Sequence, residues 1–497
     1  MTDTLGAGAA LAQRIDSLFA SATGWFVDLI FADLPGTDVP WIVGWLVLGA
    51  AVFTLAVGFL QFRGFGHALQ IVRGRYTDPR QAGEVSPFQA LTAALSGTVG
   101  LGNIAGVAVA VSIGGAGATF WMILAGLLGM ASKFTECTLG VKYRNTHADG
   151  TVSGGPMYYI RTGFAERGLP LGAPLAMLFA VFCVLGALGG GNMFQANQAA
   201  DQIHATLGVP TWVSGLVLAL TVLAVIVGGI RSIVRVTEKI VPLMGLGYFL
   251  VGLLILAMHA DMILWAIGEI GRGAFTDTGI TGGIIGAIIQ GFRRAAFSNE
   301  AGIGSAAIAH SAVRTNEPVS EGYVALLEPF IDTVVICTVT ALVIIITGQL
   351  LTDAQTGRYL LDDSGRIVTA SGAVGGVQIT SAAFGATFGW APYALSVAVV
   401  LFAFSTLITW SYYGTKAWTY MVGEGPLREL AFKLVFCLFT FVGAVSSLDA
   451  VIGFSDAALF AMGVVNVVAL YALLPVVRRE LASYRRRLAA GEIRRFS

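Results

Sequence analysis

The 497-residue chain is 56% hydrophobic and only 12% charged, against roughly a quarter charged in an ordinary soluble domain, so most of its surface must face lipid. Its 29 basic and 29 acidic residues cancel, which removes any net-charge argument for a nucleic acid or an acidic partner. Cys137, Cys183, Cys337 and Cys437 lie far apart in apolar runs without CxxC spacing, so neither a disulfide framework nor a metal site is expected of them.

Residues 1–40 lack the basic start, short apolar core and small-residue cleavage site of a signal peptide, and are expected to stay attached. There Leu11, Leu18, Phe19, Trp25, Phe26, Leu29 and Ile30 recur at helical spacing, which predicts a helix at the membrane surface ended by Pro35 and Pro40. A span needs about 20 apolar residues to cross some 30 Å of hydrocarbon. Eleven segments qualify, at 41–62, 88–112, 114–141, 173–204, 211–230, 239–259, 281–311, 319–348, 387–418, 430–447 and 450–476. The expected fold class is therefore an all-α polytopic membrane protein. The 64 glycines fall largely inside these runs, as close helix packing and broken helices require.

Basic residues orient the spans, because cytoplasmic loops carry the Lys and Arg excess. With the amino terminus outside, one set of loops holds 22 of them, among them Arg63, Arg73, Arg144, Arg231, Lys416 and the tail 477–497, while the other set holds only Arg14, Arg272, Arg358 and Arg366. The tail, with Arg485, Arg486 and Arg487, reads as a stop-transfer end. The outer segment 349–386, with Asp353, Asp362 and Asp363, is either a lid or a loop.

Two spans carry a polar, Gly-rich interruption, Ser96-Gly97-Thr98-Val99-Gly100-Leu101-Gly102-Asn103 and Phe297-Ser298-Asn299-Glu300-Ala301-Gly302-Ile303-Gly304-Ser305. Lipid cannot satisfy free backbone groups, so such breaks must be buried in protein or line a wet cavity. Each opens a set of five spans, 88–259 and 281–476. The sets start on opposite sides of the membrane, which is the pattern of inverted-repeat transporters whose half-helix ends meet at the midplane. Helix amino termini there suit a carboxylate and freed carbonyls a cation. Phe297, Ser298 and Asn299 would close the far side of such a pocket. Glu300, a carboxylate at membrane depth, needs a partner or a purpose: Arg293 or Arg294, one or two turns earlier, is the structural choice and ion coupling the functional one. Lys133 and Glu136 read as a charge pair at the inner end of a span, and Glu328 and Asp332 share a helix face. The five histidines form no metal-spacing cluster, and no GxSxG, HExxH or Walker loop occurs, so an enzyme is not expected.

The runs GTVGLGNIAGVAVAVSIGGAGATFWM (97–122), GGPMYYI (154–160), GGGNMFQANQ (189–198), FSNEAGIGSAAIAHSA (297–312), EPFIDT (328–333) and WSYYG (410–414) resemble the alanine or glycine:cation symporter family across nearly the whole chain. The resemblance implies a leucine-transporter-like five-plus-five inverted repeat with one extra amino-terminal helix. It also implies a small neutral amino acid, alanine or glycine, as substrate, with sodium, or a proton in some members, as coupling ion and no other cofactor. On that basis the substrate residues are Thr98, Gly100, Asn103, Gln195, Phe297, Asn299 and Trp410, with Asn192 and Asn197 weaker candidates. Sodium would lie at Gly97, Thr98, Ser405 and Thr406, with Glu300 or Asp332 as possible coupling carboxylates. The location implied is a bacterial inner membrane, and a channel is the remaining alternative.

Overall fold

A computed structural model describes residues 21–496 apart from 79, 82, 148–150, 277–282, 354–357, 363–366, 371 and 373–375. Leu11, Arg14, Leu18, Phe19, Asp363 and Arg366 lie outside the described residues. The chain is helical almost throughout: α1 (21–30), α2 (Trp41–Ala56), α3 (Phe65–Val72), α4 (Pro87–Thr98), α5 (Gly102–Gly114), α6 (Gly117–Lys142), α7 (Pro156–Glu166), α8 (Gly172–Leu207), α9 (Thr211–Ile226), α10 (Gly229–Met258), α11 (Ile263–Phe275), α12 (Gly283–Asn299), α13 (Ala306–His310), α14 (Pro318–Ile346), α15 (Val377–Thr387), α16 (Ala391–Val422), α17 (Pro426–Val445) and α18 (Leu448–Ala489).

Six of these, α6, α8, α10, α14, α16 and α18, are long and apolar enough to cross a bilayer, and the bent pair α4–α5 makes a seventh. The other four of the eleven expected spans correspond to α2, α9, α12–α13 and α17. The first two are apolar but only 16 residues long. The third is broken. The last carries Arg428, Glu429 and Lys433 in its first two turns. At the amino terminus, α1 turns Phe26 and Ile30 inward and leaves Trp25 and Leu29 exposed, a one-sided pattern that packs Phe26 against Phe182 of α8.

Both predicted breaks exist. At the first, α4 stops at Thr98 because Val99 adopts ψ 86°, and α5 leaves at 51° to α4. At the second, Glu300, Gly302 and Gly304 all take positive φ (55°, 82° and 94°), a conformation glycine adopts freely and glutamate does not. Three π-helical turns, Gly102–Gly106, Gly189–Met193 and Phe330–Cys337, widen α5, α8 and α14. Such turns expose backbone groups and shift the side-chain register. All three converge on the breaks.

The described residues of the segment 349–386 are bonded to α5. Paired bridges Leu350–Thr369, Thr352–Tyr359 and Leu361–Ile367 fold it into a flap whose Ile367 N–H donates to the Ser112 carbonyl (2.8 Å). It continues into α15, where Thr380 Oγ1 donates to the Ile104 carbonyl in the first π turn (3.0 Å).

Candidate functional site

The first break is closed by side-chain amides. The Gly100 N–H donates to Asn103 Oδ1 (2.9 Å) and the Leu101 N–H to Gln195 Oε1 (3.0 Å), so two backbone amides that no helix can satisfy are held by two carbonyl oxygens. Gln195 is itself fixed by donating to the Gly190 carbonyl in the second π turn (3.0 Å). Gly100 has no room for a side chain, since a Cβ there would stand 2.5 Å from Thr406 Oγ1 and 3.1 Å from Gln195 Oε1. Thr406 Oγ1 is buried and has no hydrogen-bond partner. A buried hydroxyl without a partner is destabilising unless a ligand uses it.

Asp332 joins the two breaks. Its carboxylate accepts from Asn103 Nδ2 (2.6 Å), Ser298 Oγ (2.8 Å) and Thr333 Oγ1 (2.7 Å), and its carbonyl also accepts from Asn103 (3.0 Å). Asn299 donates to Thr333 Oγ1 (2.9 Å) and accepts from the Ala301 N–H (3.0 Å), bracing the start of the second break. Residues from α5, α12 and α14 thus surround one fully buried carboxylate. Around it stand the Asn103 amide nitrogen, the Ser298 and Thr333 hydroxyls and, 3.3 Å from Asn103 Nδ2, the Cys337 sulfur; of these the carboxylate and hydroxyl oxygens are the ligands a hard cation such as sodium prefers. Glu328 pairs with Lys133 (3.3 Å) and His310, a network separate from the Asn103, Ser298 and Thr333 bonds of Asp332.

Glu300 is not paired with arginine. It accepts from the Trp410 indole Nε1–H (3.0 Å) and from Ser305 Oγ, whereas Arg293 (2.7 Å) and Arg294 both bind Asp456 of α18. The expected Glu300–arginine pair is therefore corrected: in α12 both arginines precede the break, and the reversal of φ at Glu300 carries its carboxylate to α16. Trp410 is 1% exposed, and its ring lies where a Cβ on Gly191 would be. Phe297 stacks edge-on against Phe194 (5.0 Å) with the Arg294 guanidinium over it (5.1 Å). The glycines of the second π turn lie between these rings, with a Cβ on Gly190 falling 3.4 Å from Phe297.

The residues expected for sodium on α4 and α16 are brought to one interface but point differently. Thr98 Oγ1 turns back to the Ala94 carbonyl of its own helix (3.3 Å) and Ser405 Oγ to Phe402 (3.0 Å). Gly97 packs on Thr409 and Tyr413. The interhelix bonds come from Ser96, which donates to the Ser405 carbonyl (2.7 Å) and accepts from Thr409 (3.0 Å). Asn192 and Asn197 bind α17 through the Phe436 and Ser446 carbonyls (2.6 Å each), a helix-joining role. Beside the Arg293–Arg294–Asp456 cluster is a cavity of about 180 Å³ lined by Ser112, Gln290 and Asp449. A polar cavity of about 320 Å³ lined by Ser411, Thr415, Lys416 and Lys433 opens between α16 and α17.

Sequence spacing missed three features: Asp456 as partner of the arginines, Thr406 as an orphaned hydroxyl at Gly100, and the convergence of Cys137, His310 and Glu328 within 4.8 Å. Lys133 and Glu136, expected as a charge pair at the inner end of a span, lie 3.8 Å apart, fully buried, and belong with that third group. These partners are distant in sequence. Only a polar residue in an apolar helix could have signalled them.

The family model described as the sodium:alanine symporter family matches residues 27–497. The sodium/alanine symporter AgcS of Methanococcus maripaludis is 39% identical over 88% of this chain and 93% of its own. The putative sodium/proton-dependent alanine carrier protein YrbD of Bacillus subtilis is 33% identical over 94% and 93%. Among solved structures, MhsT in complex with L-phenylalanine superposes with a TM-score of 0.53 at 12% identity, covering 80% of this chain and 98% of that one. That last likeness speaks to the fold alone.

Proposed function

The chain belongs to the sodium:alanine symporter family, and on that premise we propose that it imports a small neutral amino acid, alanine or glycine, together with sodium by alternating access. It is a multi-pass membrane transporter and not an enzyme. The observation that carries the proposal is the meeting of both breaks at one carboxylate, Asp332, held by Asn103 and Ser298. We read the fold as eleven spans, one leading helix and two inverted sets of five, with the amino terminus outside and the carboxyl terminus in the cytoplasm of a bacterium.

In this reading Asn103 Oδ1 and Gln195 Oε1 stand where the two oxygens of a substrate carboxylate would lie, on the Gly100 and Leu101 amides. The substrate displaces them, and Thr406 Oγ1 adds the bond it lacks. Gly190, Gly191, Phe297 and Trp410 limit the side chain to a hydrogen or a methyl. Sodium sits against Asp332, Asn103 and Ser298. A second position at Gly97, Thr98, Ser405 and Thr406 requires the Thr98 and Ser405 hydroxyls to turn out of their helices. One charge moving down about 100 mV releases roughly 2.3 kcal/mol, enough for about 50-fold accumulation of a neutral zwitterion before any sodium gradient is counted.

A second reading, proton coupling through Glu300 or Asp332, is favoured by the absence of a hydrogen-bonded cation at either buried carboxylate among the described residues. Titration calorimetry of the purified protein with alanine, glycine, serine and larger amino acids, with and without sodium, separates the two. The sodium reading expects alanine or glycine heat only with sodium present. Equal binding in sodium-free buffer contradicts it.

A further inference from the structure

A chain of buried ionisable side chains, outside the substrate and sodium positions, ties the inner stub of the second broken helix to its surroundings. His310, the last residue of α13, places Nδ1 2.5 Å from Glu321 Oε1 and Nε2 against Glu328 Oε1. Glu328 reaches Lys133 (3.3 Å), Lys133 reaches Glu136 (3.8 Å), and Glu136 accepts from Asn466 of α18 (3.1 Å). Asn466 also donates to the Gly302 carbonyl inside the second break (2.9 Å) and accepts from the Tyr159 hydroxyl of α7. Every ionisable member is wholly buried.

The donor count sets a condition on this geometry. A neutral imidazole has one N–H and one lone pair, and a carboxylate has only lone pairs. With a carboxylate oxygen at each ring nitrogen, one of the two contacts would set lone pair against lone pair, unless His310 is doubly protonated or one of the glutamates is. The charges say the same, since among the described residues four carboxylates, Glu136, Glu300, Glu321 and Glu328, face two fixed cations, Lys133 and Arg144. The other ionisable groups facing the cluster are Cys137 on α6, Arg144 just beyond it, Tyr159 on α7, Glu300 in the second break and Tyr413 on α16. Arg144 donates to the Ser311, Val313 and Thr315 carbonyls that follow α13, and α4 contributes no ionisable residue.

We propose that one proton shared by His310, Glu321 and Glu328 is what docks α13 against α6 and α14, and that its loss frees this inner half-helix, making the cluster a proton-operated latch on the inner side of the transporter. Without the shared proton the two carboxylates and the imidazole lone pair repel across a dry interface. The least costly relief is to move α13, the short element that a glycine-rich break already hinges.

Cys137, whose sulfur lies within 4.8 Å of His310 and Glu328 ligand atoms, is a built-in reporter. Replacing Cys183, Cys337 and Cys437 by Ala leaves it the sole thiol. Labelling of that variant in nanodiscs by a small cationic methanethiosulfonate is followed with pH and divided by the rate in the same variant carrying H310Q, so that ionisation of the thiol cancels. The ratio should rise about tenfold or more between about pH 6 and pH 9, as the shared proton leaves. In E321Q the amide donates to Nδ1 and a neutral imidazole is satisfied on both sides, so the rise should vanish there too. A ratio that does not change with pH, or an E321Q profile that matches the parent, overturns the proposal. Neither readout depends on which amino acid is carried.

Discussion

Replacing Asp332 by Asn keeps the shape of the side chain and removes its charge. The carboxylate accepts three side-chain hydrogen bonds, from Asn103, Ser298 and Thr333. An amide presents one oxygen and one NH2, so the hydroxyls can rotate to accommodate it, but the Asn103 NH2 group would then face a second NH2 group or lose its charged acceptor. One hydrogen bond to a charged group contributes about 1.5–3 kcal/mol, which is roughly a 10- to 150-fold loss in apparent sodium affinity. The direct attraction between carboxylate and cation is lost as well, so the upper end of that range is expected. The assay is sodium-dependent alanine binding or uptake over a sodium titration, with a thermal unfolding curve to show that D332N is folded. A folded D332N whose half-saturating sodium lies within about twofold of the parent would refute the placement of the ion at Asp332.

Three further outcomes are expected. Thr406→Val removes a buried hydroxyl without a partner and should leave stability unchanged or raise it by about 1–3 kcal/mol, while reducing alanine uptake; melting curves and uptake together test this, and unchanged uptake would show that the hydroxyl serves no ligand. Asp456→Asn leaves Arg293 and Arg294 without their carboxylate and should destabilise by about 3–5 kcal/mol, with part of the loss recovered when Arg294 is also made Gln; denaturation of the single and double variants checks it. Burial, reinforced by Arg495, holds His67 below its usual 6.5 beside Tyr484 near the carboxyl-terminal end of α18 (2.8 Å). The folded state therefore binds fewer protons than the unfolded one, so stability should fall as pH drops through about 6.5 and no further below the folded value. His67→Gln should flatten that slope in pH-dependent melting.

Both breaks were legible because glycine and small polar residues weaken a helix at the depth where lipid most demands an unbroken one, and Asn103 of the first and Ser298 of the second both bond Asp332. The span count was less so. α2 ends near Ala56 because Phe59 adopts φ 54°, a local backbone choice that hydropathy does not encode. The partner of Arg294 lies 162 residues away, so the nearest carboxylate in sequence, Glu300, looked like the answer. Helical spacing put Glu328 and Asp332 together, but their partners come from different helices far away in sequence, Lys133 and His310 for the one, Asn103 and Ser298 for the other, so spacing could not say that they belong to two networks. Gln195 was legible as a polar residue at membrane depth, but not that its oxygen would cap the Leu101 amide of another helix.

The central claim is that alanine moves with sodium. Proteoliposomes containing the purified protein, with an inward sodium gradient and a negative interior, should accumulate labelled alanine saturably, and should not do so when a pH gradient replaces sodium. Full accumulation driven by the pH gradient in sodium-free buffer would contradict the account.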